Sequence, residues 1–429
     1  MSFGIGFVSL SFYTGIMDMY DHSVVTNQTY NAREAWLQCI NDIQDHTIKS
    51  LSDVFSRAEL HSSSNPPLLY IDPNYKGNAG DNFIVYGTLI FIEKMGYMEH
   101  TECHVYASQN LVQNCGNFSQ FGDGGIAIWQ GGGHWGDLYG YEIRSKKRFQ
   151  SILTFANNKK VLIGFPNSLH YKNTNFQARD AKMLMANLSD LDPVDLKKNI
   201  ILSWRQENSF SLAKELYPLV GNRYHENIML TIYCDRNMLR LVPDIAFMIG
   251  PLQETDMWTL KQKGKVDILF ALRNDAESRF RKQRNSENIR YILKSNFSTS
   301  HLSFEIVDWN DRNRFFNASV KIPNGPDFQY KIKNNVNKHF DHMKNFRSCI
   351  ALLSVGRVII TDRLHTSILA FLLHKPHVYL DQSYGKISRT RNVAFNTSIH
   401  CQDKDKMRYN SAETLEQAII LANEMLKKF

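Results

Sequence analysis

The chain has 429 residues, of which 43% are hydrophobic, 21% charged and 12% aromatic, with 11 Pro and 23 Gly. This composition excludes collagen-like, low-complexity and disordered classes, and the length allows two or three packed domains that need neither disulfide nor metal to hold a core. Lys plus Arg number 50 against 42 Asp plus Glu, a formal charge of +8; that permits an anionic partner or a cationic pocket but is too small to specify nucleic acid, and none is expected as a partner.

Residues 1–65 read as an N-terminal extension without a defined pattern. Its stretch Phe3 to Ile16 is mildly apolar but shorter than the roughly 18 residues of a spanning helix, and it lacks the basic flank of a signal peptide. Membrane association is therefore left open. From residue 66 short apolar runs alternate with amphipathic ones. Leu68 to Asp72 reads as a strand and Phe83 to Met95 as a helix, with Ile84, Val85, Leu89, Ile92 and Met95 on one face. Further strands are expected at Cys103 to Ala107, Ile126 to Gln130, Val161 to Pro166, Asn199 to Arg205 and Ile228 to Tyr233. Apolar strands separated by helical segments imply parallel sheets covered on both faces.

The alternation pauses between Gly250-Pro251 and the polar run Lys261 to Lys265, as a linker does. It restarts with strands at Val266 to Arg273, Phe304 to Trp309, Val358 to Asp362 and His377 to Asp381, and helices near Glu277 to Arg284, Leu364 to His374 and Ala412 to Lys427. Residues 275–300, rich in Arg, Lys, Asn and Ser, read as a solvated helix and loop. The fold class is thus α/β, with two Rossmann-like domains, 66–250 and 265–429, facing a cleft. Ligands of such sheets bind outside the carboxyl ends of the strands, so the site is expected between the halves.

Six cysteines lie far apart, with no CxxC pair and no Cys/His set at zinc spacing. No metal site is expected. Asn-x-Ser/Thr acceptors occur at Asn27, Asn117, Asn187, Asn296, Asn317 and Asn396, as would suit a lumenal glycoprotein.

Chemistry-bearing residues gather at strand ends. Lys76 to Asn82 (KGNAGDN) opens a helix: Gly80 lets the backbone approach a ligand and helix amides can face an anion, while Asp81 is either a helix N-cap or a base. Gly131-Gly132-Gly133-His134-Trp135-Gly136-Asp137 follows another strand. Three glycines in a row point to a functional loop approached closely by something else, with His134 an acid or base and Asp137 a base. In Thr361-Asp362-Arg363-Leu364-His365-Thr366, Arg363 offers a permanent, forked cation beside helix amides and His365 exchanges protons near neutrality. The structural alternative pairs Arg363 with Asp362 and leaves His365 a satisfied core residue. Arg205 and Arg273 also end strands. Three arginines opening on one cleft suit a compact, multiply charged anion.

These motifs resemble the polysaccharide pyruvyl transferase family. The resemblance also takes in Gly164 to His170 (GFPNSLH), Arg205 to Ser209 (RQENS), Val242-Pro243-Asp244 and Lys375 to Lys386, and spans residues 68 to 390. It implies a GT-B type architecture that takes phosphoenolpyruvate as co-substrate, without a cofactor, and installs a pyruvate ketal on a sugar such as terminal galactose of a glycan or polysaccharide. By similarity Arg205, Arg363, Leu364 and His365 hold or activate the donor and His170 serves the sugar side; Arg273 and Gly80 are further candidates for the donor, and His134 for the acceptor. The enzyme class and the acceptor sites together imply a Golgi or secretory lumen for a eukaryotic source, and the cytoplasm for a bacterial one. Two other functions share the fold: a GT-B glycosyltransferase using a nucleotide sugar, and a non-catalytic carbohydrate-binding relative.

Overall fold

A computed structural model describes residues 27–59, 67–73, 79–97, 100–103, 125–136, 161–188, 200–216, 239–252, 263–275, 277–296, 302–308, 346, 348–381 and 384–429. The expected strand Ile228 to Tyr233 and the residue Asp137 lie outside them, as do Lys76 to Asn78 and most of the linker.

Two parallel sheets are built. The first holds β1 (Leu68–Ile71), β2 (Thr101–Cys103), β3 (Ile126–Trp129), β4 (Gly132–Gly136), β5 (Val161–His170), β6 (Ile200–Trp204) and β7 (Leu239–Leu241) in the order β2-β1-β3-β5-β6-β7, with β4 added on β5. The second holds β8 (Val266–Ala271), β9 (Phe304–Val307), β10 (Gly356–Thr361), β11 (His377–Leu380) and β12 (Tyr409–Ala412) in the order β12-β11-β10-β8-β9. In both, the chain runs first to one side of its opening strand and then crosses to the other, which leaves a topological switch point beside β1 and beside β8. β1, β3 and β6 are buried along their whole length, the reason their sequences read as unbroken apolar runs.

The helices used below are α1 (Asn27–Glu59), α2 (Ala79–Lys94), α3 (Thr174–Leu188), α4 (Glu207–Leu216), α5 (Ser286–Asn296), α6 (Leu364–Leu372), α7 (Lys386–Phe395) and α8 (Leu415–Lys428). Several differ from the sequence reading. Glu277 to Arg284 is a chain of turns, not a helix: Asp275 Oδ1 accepts the amide of Glu277 and Ser278 Oγ that of Phe280, side-chain bonds that offer the backbone an alternative to the helical ladder. The helix begins later, at Ser286. β12 has the sequence YNSA, with no apolar run to announce it. α8 starts after Thr414, whose hydroxyl accepts the Gln417 amide as an N-cap.

The triple glycine is also not a loop. Residues 132–136 form β4, parallel to β5 with a register shift between Gly132 and Trp135. A Cβ on Gly131 would lie 2.8 Å from Pro166 O, and one on Gly136, whose φ is +89°, 1.9 Å from His170 O. What passes close to these glycines is the β5 backbone.

Within the N-terminal extension, α1 is one 33-residue helix laid across both sheets. Trp36, Cys39, Ile40 and Ile43 belong to the core under the second sheet, and Leu51 and Phe55 to the core under the first. Trp36 Nε1 donates to Phe371 O at 2.8 Å, Gln44 Nε2 to Met248 O at 3.0 Å, and Arg240 grips the Asp53 carboxylate in a two-pronged pair. A Cys39–Cys401 disulfide joins this helix to the chain 362 residues away. Among the described residues no helix is long and apolar enough to cross a membrane.

A cross-link closing so long a loop restricts the unfolded chain and should contribute about 2–5 kcal/mol. We expect the double variant C39S/C401S to unfold at a clearly lower urea midpoint than the oxidised protein. The oxidised protein should fall to the variant's midpoint on reduction, and coincident curves in all cases would show that the bridge adds nothing.

Candidate functional site

The site is built where the sheets end. β8 runs out into Arg273 and β10 into Asp362 and Arg363, so two arginines flank the switch point of the second sheet. From the first sheet, β6 delivers Arg205, and a short 3-10 turn, Ile245–Ile249, is capped by Asp244, whose Oδ1 accepts the Ala246 amide at 3.0 Å.

Residues of the two sheets meet at Asp244. Its carboxylate takes a hydrogen bond from Arg205 Nη1 and has His365 Nε2 3.5 Å away from Oδ2. Arg205 and Asp244 are each 1% exposed, whereas the His365 side chain keeps 12%. Burial opposes ionisation of Asp244, but the Arg205 guanidinium, His365 and the Ala246 amide outweigh it and hold the carboxyl below the ordinary range. Arg205 Nε is further fixed on Ser168 Oγ at 2.9 Å.

The other cations each have an acidic partner too. Arg363 donates Nη2 to Asp308, and Arg273 pairs with Asp275 through Nε and Nη2, both at 2.8 Å, and with Glu277 at 2.9 Å. The expectation of three arginines left open for a trianion is thereby corrected. They do converge, with Arg363 Nη2 3.9 Å from the same Asp275 oxygen that Arg273 holds, but each arrives with a carboxylate. The expected alternative of an Arg363–Asp362 pair is not formed either: Asp362 accepts the Arg273 amide at 2.8 Å and the Ser278 hydroxyl, and burial raises its pKa.

What remains directed at a ligand is the start of α6. Among the described residues no side chain caps its N-terminus at Arg363, and Arg363 Nε and Thr366 Oγ1 are buried without a hydrogen-bond partner there. α7 differs, because Asp381 already accepts its Ile387 and Ser388 amides at 3.0 and 3.1 Å. Uncapped amides, the guanidinium Nε and the His365 ring gather fixed donors at the α6 end, an arrangement chemically suited to an anion. Leu364 contributes only through its backbone, since its side chain lies in the core.

Two residues that the sequence reading left without a role join this cluster. Lys386, first in α7, stands 3.6 Å from Glu277, and burial lowers its pKa to about 8 against the opposing pull of that carboxylate. Tyr384 places its hydroxyl 3.4 Å from Glu277 and its ring against His170, with centroids 5.4 Å apart. Gln206 donates Nε2 to Lys386 O at 3.1 Å, which ties α7 to the first sheet. Asp81 lies in the first turn of α2, not at its N-cap, and within electrostatic reach of Lys386; Gly80 is buried beside it. His134 lies in β4, with its side chain outside the described residues. No group of three or more potential metal ligands occurs among the described residues.

Comparison with known proteins points to the same family as the motifs. Residues 223–384 match the polysaccharide pyruvyl transferase family model. "Putative pyruvyl transferase EpsO" of Bacillus subtilis (strain 168) is 24% identical over 322 residues, 74% of this chain and 82% of that one. "Pyruvyl transferase 1" of Schizosaccharomyces pombe is 24% identical over 268 residues, 62% of this chain and 53% of that one. A solved structure of an uncharacterized Klebsiella pneumoniae protein aligns at a TM-score of 0.46 and 16% identity, covering 86% of this chain and 99% of that one. The class is therefore that of a transferase. Residues 223–384 thus match the model of the family that the motifs resemble.

Removing the shared carboxylate while keeping its shape isolates what it does. We expect Asp244→Asn to cost about 3–5 kcal/mol, because Arg205 would be left buried without its counter-charge. Denaturant unfolding would measure this, and a loss under about 1 kcal/mol would mean that the pair is solvated rather than buried.

Proposed function

We propose that the chain transfers the enolpyruvyl group of phosphoenolpyruvate to a sugar of a glycan, closing a pyruvate ketal and releasing phosphate. In this reading residues 66–250 and 265–429 are the two domains of a GT-B type arrangement. The observation that carries it is the uncapped start of α6, where Arg363 Nε, the first helix amides and His365 leave directed donors at the carboxyl end of β10.

Phosphoenolpyruvate sets a carboxylate and a phosphate on three carbons, so a binding site needs forked or convergent donors for both. Helix amides and Arg363 suit the phosphate, and Arg205, Arg273 and Lys386 lie within reach of a carboxylate held toward the first sheet. Since the arginines carry their own carboxylates, recognition rests on donor geometry more than on net charge.

Chemistry begins when His365 gives its proton to the methylene carbon, creating an oxocarbenium-like centre at the adjacent carbon. Asp244 is placed to stabilise the imidazolium that donates. A sugar hydroxyl forms a C–O bond to that centre and loses its proton to a base. A second hydroxyl then attacks the same carbon and passes its proton to the leaving phosphate as the bond to the phosphate oxygen breaks, and phosphate departs with its remaining charge on the α6 amides and Arg363. Of the bases considered, Asp81 is the one whose side chain lies among the described residues, and it is within electrostatic reach of Lys386. The His170–Tyr384 pair offers the acceptor sugar a ring face at the cleft, and terminal galactose is the acceptor class we infer.

Incubation with phosphoenolpyruvate and a galactoside should yield a product heavier by one pyruvate ketal, together with free phosphate. Transfer from a nucleotide sugar with no reaction of phosphoenolpyruvate would reject the proposal. Arg363→Ala should abolish donor binding by calorimetry, while His365→Ala should bind the donor and turn over slowly. Donor affinity should also depend on pH through Lys386. Below its pKa of about 8 the ammonium attracts the anion, and above it the neutral amine does not. Affinity should therefore fall from about pH 7 to about pH 9.5, with the fall absent in Lys386→Met. A flat profile in the native protein would remove Lys386 from the donor pocket.

A further inference from the structure

One buried cation near the site has a different environment from the rest. Arg391 of α7 is 3% exposed, and among the described residues no carboxylate pairs with it. Its guanidinium is instead boxed by the rings of Tyr409, Phe395, Tyr379 and Phe371, at 3.9, 4.6, 5.1 and 6.0 Å. Nη1 reaches Ser367 Oγ at 2.9 Å and His377 Nε2 at 2.8 Å.

The direction of these bonds follows from the neighbours. His377 Nδ1 lies 2.9 Å from Lys375 O, a carbonyl that can only accept, so Nδ1 carries the proton and Nε2 offers its lone pair to Arg391. Burial and Arg391 together push the His377 pKa down to about 3, which keeps the ring neutral across the working pH range. Lys375 in turn gives its ammonium to Leu353 O and Gly356 O at 2.8 and 2.7 Å, anchoring the chain at the start of β10. Ser367 is two residues beyond His365 in the first turns of α6, and its amide donates to Arg363 O at 3.1 Å. Arg391 sits five residues beyond Lys386 on α7.

If this position served packing alone, an apolar side chain would fill it without the cost of desolvating an unpaired charge. A guanidinium nitrogen does something an apolar chain cannot: Nη1 alone holds both partners with its two coplanar N–H bonds, while Nη2 is buried with no hydrogen-bond partner among the described residues. We propose that Arg391 is a positioning residue: it pins α6 to α7 and β11 behind the site, and so sets where His365 and Lys386 stand relative to each other. Its kinetic consequences rest on the pyruvyl transfer reading, but its structural consequence does not.

The test is therefore made in two ways on the full-length protein. Hydrogen exchange by mass spectrometry should show Arg391→Met exchanging at least about 10-fold faster over residues 364–372 and 386–395 than the native protein, with β1, β3 and β6 unchanged. Arg391→Lys should not restore protection, because an ammonium keeps the charge without the two coplanar N–H bonds that Nη1 gives to Ser367 and His377. In turnover, kcat should fall about 10–100-fold with donor Kd within about 3-fold, since alignment is lost before binding. A native protein with no pyruvyl transfer would end the functional reading and leave the exchange result to decide this one. Native exchange in Arg391→Met, or full recovery in Arg391→Lys, overturns it. If Arg391→Met does not fold, Ser367→Ala decides, with about 3-fold faster exchange over residues 364–372 expected and unchanged exchange fatal to the proposal.

Discussion

The bond on which the arrangement depends is the one Asp244 makes in two directions. Arg205 comes from the first sheet and His365 from the second, and one buried carboxylate accepts from Arg205 and has His365 Nε2 3.5 Å from it. A buried acid held by a guanidinium is costly to leave half paired, so each partner fixes the other's place. Gln206, next to Arg205, adds a second link across the sheets by bonding Lys386 O and Thr390 Oγ1 on α7. Adjacent residues at the end of one strand thus address α6 and α7 in turn. The result is a site whose parts come from distant stretches of chain yet have little freedom to separate.

α1 supports the same geometry from behind. It touches the second sheet through Trp36, which stacks on His374 with centroids 4.6 Å apart, and the first sheet through Asp53 and Arg240. Between those points Gln44 holds the two carbonyls of Phe247 and Met248, in the same 3-10 turn that Asp244 caps. A helix that bonds the turn carrying the bridging carboxylate, and is itself linked to Cys401 by a disulfide, restrains the relation of the sheets.

Legibility in the sequence followed burial. Strands such as IIT in β10 and IILSW in β6 are covered on both faces and stand out as apolar runs. β4 and β12 did not stand out, because glycines and polar residues form them through backbone pairing that leaves no hydrophobic signature. α1 was missed because both sheets share its apolar residues, which blurs a single stripe. At the site, Arg205, Arg273, Arg363 and His365 were readable because strand ends in such sheets are where ligands bind. Their carboxylates were not: Asp308 lies 55 residues from Arg363 and Asp244 lies 39 from Arg205, and no local pattern connects such pairs. Lys386 stood in a quoted motif, but nothing in a sequence reveals that a lysine will be buried beside Glu277.

Neutralised arginines change how an anionic donor would be selected. A pocket with large net positive charge would attract any polyanion and hold it loosely, because point charges impose little geometry. Here each guanidinium is clamped by an acid, which fixes the plane of its fork and cancels its long-range field. The positive character that survives is local, at the α6 amides, the buried Nε of Arg363 and the partly charged Lys386. A small ligand whose carboxylate and phosphate match those points gains full hydrogen bonds, whereas a mismatched anion must leave buried donors unmet and meets the cluster's own carboxylates. The weak overall charge of +8 is then no argument against an anionic substrate, since in the proposed reading selection would be made by the direction of a few donors.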